Sequence, residues 1–205
     1  MAKVAIPEGI APQVEALLRK SSEMHAHACP RQVLGIRMGI LAGRLLGISI
    51  PQADKRLLAI AETDGCAADG VSVATNCWVG RRTLRIEDYG KIAATFVDTH
   101  TERALRIAPR NESRRLALDI AGGEGSRFDR YLTGYMVLPD EALFLVQPVE
   151  LLTPVKTIIS KMSKRATCAK CGEEINNERE VIAGGITLCR HCAGPSYYSV
   201  LPDNA

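Results

Sequence analysis

Cys168-Ala169-Lys170-Cys171 and, seventeen residues further on, Cys189-Arg190-His191-Cys192 decide how the end of this chain folds. Each turn presents two thiolates, and two such turns facing each other complete a tetrahedral S4 site for zinc. Gly172 after the first pair, and Ala193-Gly194-Pro195 after the second, suit tight turns. Gly184-Gly185 between the pairs reads as a hairpin turn flanked by Glu180-Val181-Ile182 and Ile186-Thr187-Leu188. So short a segment buries too little to hold itself together, so zinc supplies much of its folding free energy. A closed S4 site has no open position, which makes the metal structural, not catalytic. Two disulfides would need an oxidising compartment, and a redox CxxC belongs in a βαβ setting. Neither context is present, and His191 reads as a surface residue of the knuckle.

Outward from this module, 205 residues leave room for one medium domain. The expected class is α+β: a mixed helix and strand core over 1–155, a basic connector over 156–165, and a zinc module over 166–205. That module takes a treble-clef-like or zinc-ribbon form. Hydrophobic content of 46% and charged content of 24% are ordinary for a globular protein, and only 4% is aromatic, so aliphatic residues build the core. A net charge of +3 is too mild to imply nucleic acid. No apolar leader stands at the start, and the apolar stretch Val33–Ile50 is broken by Arg37 and Arg44, which argues against a membrane span. Setting aside the four zinc cysteines leaves Cys29, Cys66 and Cys77, an odd number that fits reduced thiols in the cytoplasm.

Periodicity predicts helices over Pro12–Met24, Pro30–Gly47, Cys66–Thr75, Glu112–Ala121 and Ser126–Met136. Strands are expected over Arg56–Ala61, Arg81–Ile86, Lys91–Val97, Arg103–Ala108 and Ala142–Leu151. The basic stretch Thr153–Ala166 is either a helical connector or a linker. Gly35, Gly39, Gly43 and Gly47 recur every four residues. Each costs about 1 kcal/mol of helix propensity, so close packing, within the core or against a second copy, must compensate.

His25-Ala26-His27-Ala28-Cys29-Pro30 carries the chemistry. Proline in the first helical turn places Cys29 at or near the N-cap, where the helix dipole favours thiolate. In an extended segment His25, His27 and Cys29 share one face, and imidazole with thiolate suits a late transition metal. Cys66 also starts a helix, with Asp64 as a candidate cap and Asp69 on the same face. Cys77, eleven residues beyond Cys66, would lie roughly 16 Å away on a continuous helix, and joins the site only if the helix ends early. The candidate core ligands are therefore His25, His27, Cys29, Cys66 and, as the weaker choice, Cys77. Arg103, Arg106, Arg110, Arg114 and Arg115 read as a solvated basic face paired with local acids.

Four stretches carry a family resemblance: His25–Pro30 with Leu34-Gly35-Ile36-Arg37-Met38; Cys66-Ala67-Ala68-Asp69-Gly70; Asn76-Cys77-Trp78-Val79-Gly80; and Asp88-Tyr89-Gly90-Lys91. Together they resemble the E-subunit family of formylmethanofuran dehydrogenase. That family's first motif reads His-Gly-His-x-Cys-Pro-Gly, and Ala26 and Arg31 replace its glycines here. The resemblance implies an α+β core, a homodimer, and association with a molybdenum or tungsten enzyme whose redox chemistry lies in other subunits. The preferred reading is a metal-binding accessory protein with one structural zinc and a second metal, taken as zinc, in the core. An enzyme using the core metal or thiolate is the alternative. A zinc-ribbon regulator binding nucleic acid is the weakest reading, since charge is modest and stacking residues are few.

Overall fold

The computed structural model describes residues 12–159 and 163–201, and it divides into two units at Leu152/Thr153. In the first unit, helix α1 (Pro12–His25) buries Val14, Leu17, Leu18 and Ser21 along one side. It stops where Ala26 turns left-handed, at φ 64°. Helix α2 (Pro30–Leu46) follows, with Cys29 as its extended N-cap. Gln32 is completely buried. Its side-chain oxygen accepts from the Cys29 backbone N–H at 2.7 Å, and its amide donates to the Ser21 carbonyl at 3.4 Å. A polar side chain in the core thus ties the start of α2 to α1. Gly47, at φ 67°, ends the helix.

The remaining elements of this unit are β1 (Leu57–Ala61), α3 (Cys66–Thr75), β2 (Leu84–Ile86), β3 (Ala94–Asp98), β4 (Ala104–Pro109), α4 (Ser113–Ile120), α5 (Arg127–Val137), α6 (Asp140–Leu143) and β5 (Phe144–Val149). One five-stranded sheet has the order β2-β1-β3-β4-β5. Only β1–β2 is parallel. The other pairs are antiparallel, with Ala59 opposite Phe96 and Ala94 opposite both Ala61 and Ile107. Those side chains join Val33, Ile36, Met38, Val71 and Val73 of the helices in one aliphatic core. The mixed α+β class is as expected.

Two expected strands are shorter. The strand predicted over Arg81–Ile86 begins only at Leu84, because Thr83 is drawn into a turn with Trp78 through its hydroxyl and its backbone N–H. The strand predicted from Ala142 starts at Phe144. Ahead of it, Asp140 opens one helical turn and receives Arg37 at 2.7 Å and Arg44 at 2.6 Å.

The glycine stripe of α2 is spent inside this unit. A Cβ on Gly35 would stand 2.1 Å from the Ala67 carbonyl oxygen of α3, and one on Gly39 would stand 2.9 Å from Ala74 and Thr75. Gly43 faces Ile48 and Ile50. Gly70 of α3 returns the contact, since its Cβ would stand 2.2 Å from the Gln32 carbonyl oxygen. The two backbones therefore meet directly, which side chains elsewhere prevent. Among the described residues no helix is long and apolar enough to cross a membrane.

In the second unit a short helix α7 (Val155–Ile158) precedes β6 (Arg165–Thr167). The basic stretch 153–166 is thus broken into helix and strand, and residues 160–162, with Lys161, lie outside the described residues. β6 pairs with β7 (Glu174–Asn176), and β8 (Val181–Ala183) pairs with β9 (Ile186–Leu188) across Gly184-Gly185. The single turn α8 (Arg190–Ala193) follows.

Candidate metal centre and adjoining cavity

The first zinc turn is a knuckle: the Cys168 N–H donates to the Glu173 carbonyl, the Gly172 N–H donates to Cys168, and Gly172 takes φ 76°. The second is helical, with Cys189 as N-cap accepting the Cys192 N–H. A knuckle followed by a helical turn is the treble-clef form of the two that the sequence allows. The four sulfurs of Cys168, Cys171, Cys189 and Cys192 all lie within 4.8 Å of one another, and Cys171 and Cys189 are 3.9 Å apart. Zinc–sulfur bonds of about 2.3 Å in a tetrahedron set sulfurs about 3.8 Å apart, so the donor set fits zinc. Backbone N–H groups of Cys171 and Cys189 pull the Cys168 thiol down to about 6. Burial and the neighbouring thiols push Cys192 up to about 12. A divalent cation relieves that mutual repulsion. His191 stacks on Tyr198 at 4.4 Å and hydrogen-bonds Ser196, away from a ligand role.

In the core, the ends of three helices converge. His25 is the last residue of α1, Cys29 caps α2, and Cys66 is the first residue of α3 behind its N-cap Gly65. Residues 25–29 are not a continuous strand, so the expected alternation is replaced by a turn through Ala26. The turn still brings the His25 and His27 rings to 4.8 Å. His25 bridges two groups: Nε2 lies 3.2 Å from the Cys66 sulfur and Nδ1 lies 2.9 Å from the Asp69 carboxylate. Burial, and then hydrogen bonding with the Cys29 thiol, raise the Cys66 thiol above its ordinary value. His25, His27, Cys29 and Cys66 are thus gathered, with Asp69 one helical turn beyond Cys66 as its spacing predicts. Among the described residues, only the C-terminal set has three or more donors all within 4.8 Å, so the core cluster is the more open arrangement.

Cys77 is not brought to this cluster. Helix α3 does end early, with Asn76 left-handed at φ 59°, but the chain turns away. The fully buried Cys77 sulfur accepts from the Gln52 side-chain amide at 3.1 Å and donates to the Leu57 carbonyl at 3.3 Å. Burial raises this thiol above its ordinary value. It is a satisfied core thiol.

Cys29 also lines a cavity of about 670 Å³, with Arg31, Leu34, Lys91, Arg106, Arg110, Ser113, Arg114, Phe128, Tyr131 and Tyr135 among its walls. The arginines expected to form a solvated face with local acids divide differently. Arg115 pairs with Asp119 on the surface. Arg106 makes a bidentate pair at 2.6 and 2.8 Å with buried Glu62, forty-four residues away. Arg103 donates to the Leu45 carbonyl and Arg110 to the Glu141 carbonyl. Arg106, Arg110 and Arg114 all reach the cavity wall. Burial acts upward on the Tyr131 phenol, but Arg127 and Arg114 outweigh it and hold the group below its ordinary value.

Known proteins share this geometry. The family described as FmdE, molybdenum formylmethanofuran dehydrogenase operon, matches residues 24–144. The prokaryotic dksA/traR C4-type zinc finger matches residues 163–198. A protein of Archaeoglobus fulgidus named a probable S-adenosyl-L-methionine-binding protein is 35% identical over 207 residues, covering 90% of this chain and 54% of that one. The chain therefore spans about half the length of that relative. The crystal structure of an FmdE-like protein of tungsten formylmethanofuran dehydrogenase from Syntrophus aciditrophicus matches with a TM-score of 0.61 at 21% identity. It covers 91% of this chain and 95% of that one, a likeness of fold. With more than half of its length matched, the chain belongs to the FmdE family and carries a C4-type zinc-finger module behind the family's domain.

Proposed function

We propose that this protein is a metal-binding accessory protein with a second metal site in its core, held by His25, Cys29 and Cys66 with His27 at the open side. The observation that carries this reading is the bridging position of His25: one ring nitrogen meets a cysteine sulfur and the other a carboxylate. Metal-bound imidazoles are held in that way, by a carboxylate that fixes ring and tautomer from behind. Asp69 is then a positioning residue and the sulfur–imidazole set suits zinc. The partner that fits the family's description is a molybdenum or tungsten enzyme complex, and we assign the protein a homodimeric state. Metal analysis of the purified full chain tests the core site. We expect two metal ions per chain, with one lost in Cys66→Ser or His25→Ala and the other in Cys168→Ser. One metal per chain in the unsubstituted protein, unaffected by Cys66→Ser, refutes the proposal.

A second reading draws on the same observation. Cys66, His25 and Asp69 stand in the order nucleophile, base and orienting carboxylate. If a thiolate does the chemistry, metal-free protein reacts with iodoacetamide at Cys66, and His25→Asn slows that reaction at least tenfold. Equal rates with and without the substitution remove this reading.

A further inference from the structure

The cavity beside Cys29 is walled by cations from four separate parts of the fold. Arg31 comes from the first turn of α2, Lys91 from the segment before β3, Arg110 from the loop after β4, and Arg114 from the first turn of α4. Arg106 also lines it, but Glu62 neutralises that charge. Among the described residues no Asp or Glu lines the cavity. Four like charges converging on one concave space repel one another, and a surface that only solvates arginines intersperses acids among them.

A second observation points to a ligand. Ser113 lines the same cavity, is completely buried, and its hydroxyl has no hydrogen-bond partner among the described residues. A buried hydroxyl without a partner is rare and costly, and a bound acceptor satisfies it. Ser113 is also the first residue of α4, a helix whose N-cap makes no side-chain hydrogen bond. Unpaired amides at a helix start favour an anion. The other wall is apolar and planar. Tyr131 stacks on Tyr135 at 5.7 Å, Phe128 is half exposed, and Leu34 lies at the back. The volume, about 670 Å³, is that of small-molecule sites.

We infer that this cavity binds an organic small molecule carrying at least two negative charges, as a phosphate monoester or a pair of carboxylates, together with a flat or apolar portion. The anionic end is held by Arg110, Arg114, Lys91 and Ser113. The flat portion lies on the tyrosine wall, and the molecule's other end meets Cys29. The inference gives a ligand class to the core site proposed above and in that respect rests on it, although the cationic wall does not depend on the metal.

Phenyl phosphate is the probe, titrated calorimetrically into the full metal-loaded chain at low salt, with inorganic phosphate and benzyl alcohol as its two separated halves. Phenyl phosphate is expected to saturate one site per chain, more tightly than either half. Arg110→Ala and Arg114→Ala are each expected to weaken it about tenfold, and Ser113→Ala several-fold. Arg115→Ala, which removes the same charge from the same helix outside the cavity, leaves affinity unchanged. The inference is overturned by any of three results: no saturable binding, Arg115→Ala weakening the probe as much as Arg114→Ala, or Ser113→Ala stabilising the protein with unaltered binding. Metal content measured on the same samples separates the two proposals. One metal per chain with phenyl phosphate still bound defeats only the core metal, and two metals with no binding defeats only the anion site.

Discussion

Replacing Gly70 by alanine tests the claim that α2 and α3 meet backbone to backbone. The added methyl would stand 2.2 Å from the Gln32 carbonyl oxygen, 2.9 Å from the Ile36 nitrogen and 3.0 Å from the Gln32 carbonyl carbon. Ordinary contact begins at 3.4 Å, so the first distance falls short by 1.2 Å (3.4 minus 2.2). Every opposing atom belongs to the backbone, so no rotamer change relieves the overlap and the helices must part. Overpacking of this kind costs about 3 kcal/mol, the upper end of its usual range. Alanine returns about 1 kcal/mol of helix propensity. The net loss is about 2 kcal/mol, or a fall in Tm of roughly 4–8 °C for a protein of this size. Gly70→Ala should also bind the core metal more weakly, because the separation shifts Cys66 relative to Cys29. Differential scanning calorimetry with metal analysis checks both effects. A Gly70→Ala protein as stable as the original would refute the close-approach argument.

Ala26→Gly should stabilise the first unit by about 0.5–1 kcal/mol in urea denaturation, because Ala26 occupies a left-handed conformation that glycine adopts without strain. Arg56 holds the buried Asp98 carboxyl well below the usual carboxylate range, through hydrogen bonds at 3.0 and 2.7 Å. A depressed native pKa gives stability that is complete above the unfolded value of about 4 and lost as pH falls below it toward the native value. Arg56→Met should therefore cost about 3 kcal/mol at pH 7 and make the acid limb of stability shallower below pH 4, as urea titrations at both pH values would show. Stripping zinc with a chelator should abolish amide exchange protection over β6–β9 while strands β1, β3 and β4 stay protected, as hydrogen exchange read by mass spectrometry would show.

Much of this arrangement is legible in the residues themselves. Pro30 after Cys29 announces a helix start, and the CxxC spacing dictates both metal and turn. The four-residue glycine repeat calls for a close neighbour but does not name α3, because the complementary Gly70 lies thirty-five residues beyond Gly35. The path of 25–29 escapes sequence reasoning because a non-glycine residue, Ala26, takes the turn. Cys77 is misplaced because spacing alone does not reveal that Gln52 and Leu57 have polar atoms to satisfy its thiol. The cavity is the largest omission. Its cations come from positions 31, 91, 110 and 114, and only the sheet and helix packing brings them together. Arg31, standing where the resembling family has glycine, and Lys91, inside a matched stretch, are the two signals available.

Gln32 joins features that otherwise look separate. Its carbonyl is the surface against which Gly70 rests, and its side chain holds the amide of Cys29. The gap between two helices and the seat of a thiol are therefore one mechanical variable. Whatever occupies the site across Cys29 and Cys66 clamps the same crossing that holds the core together. Occupancy and melting temperature must then rise together: a ligand at one hundred times its Kd adds about 2.7 kcal/mol to the stability of the fold. A thermal-shift screen of metals and anions can consequently report ligands for a protein with no assay of activity.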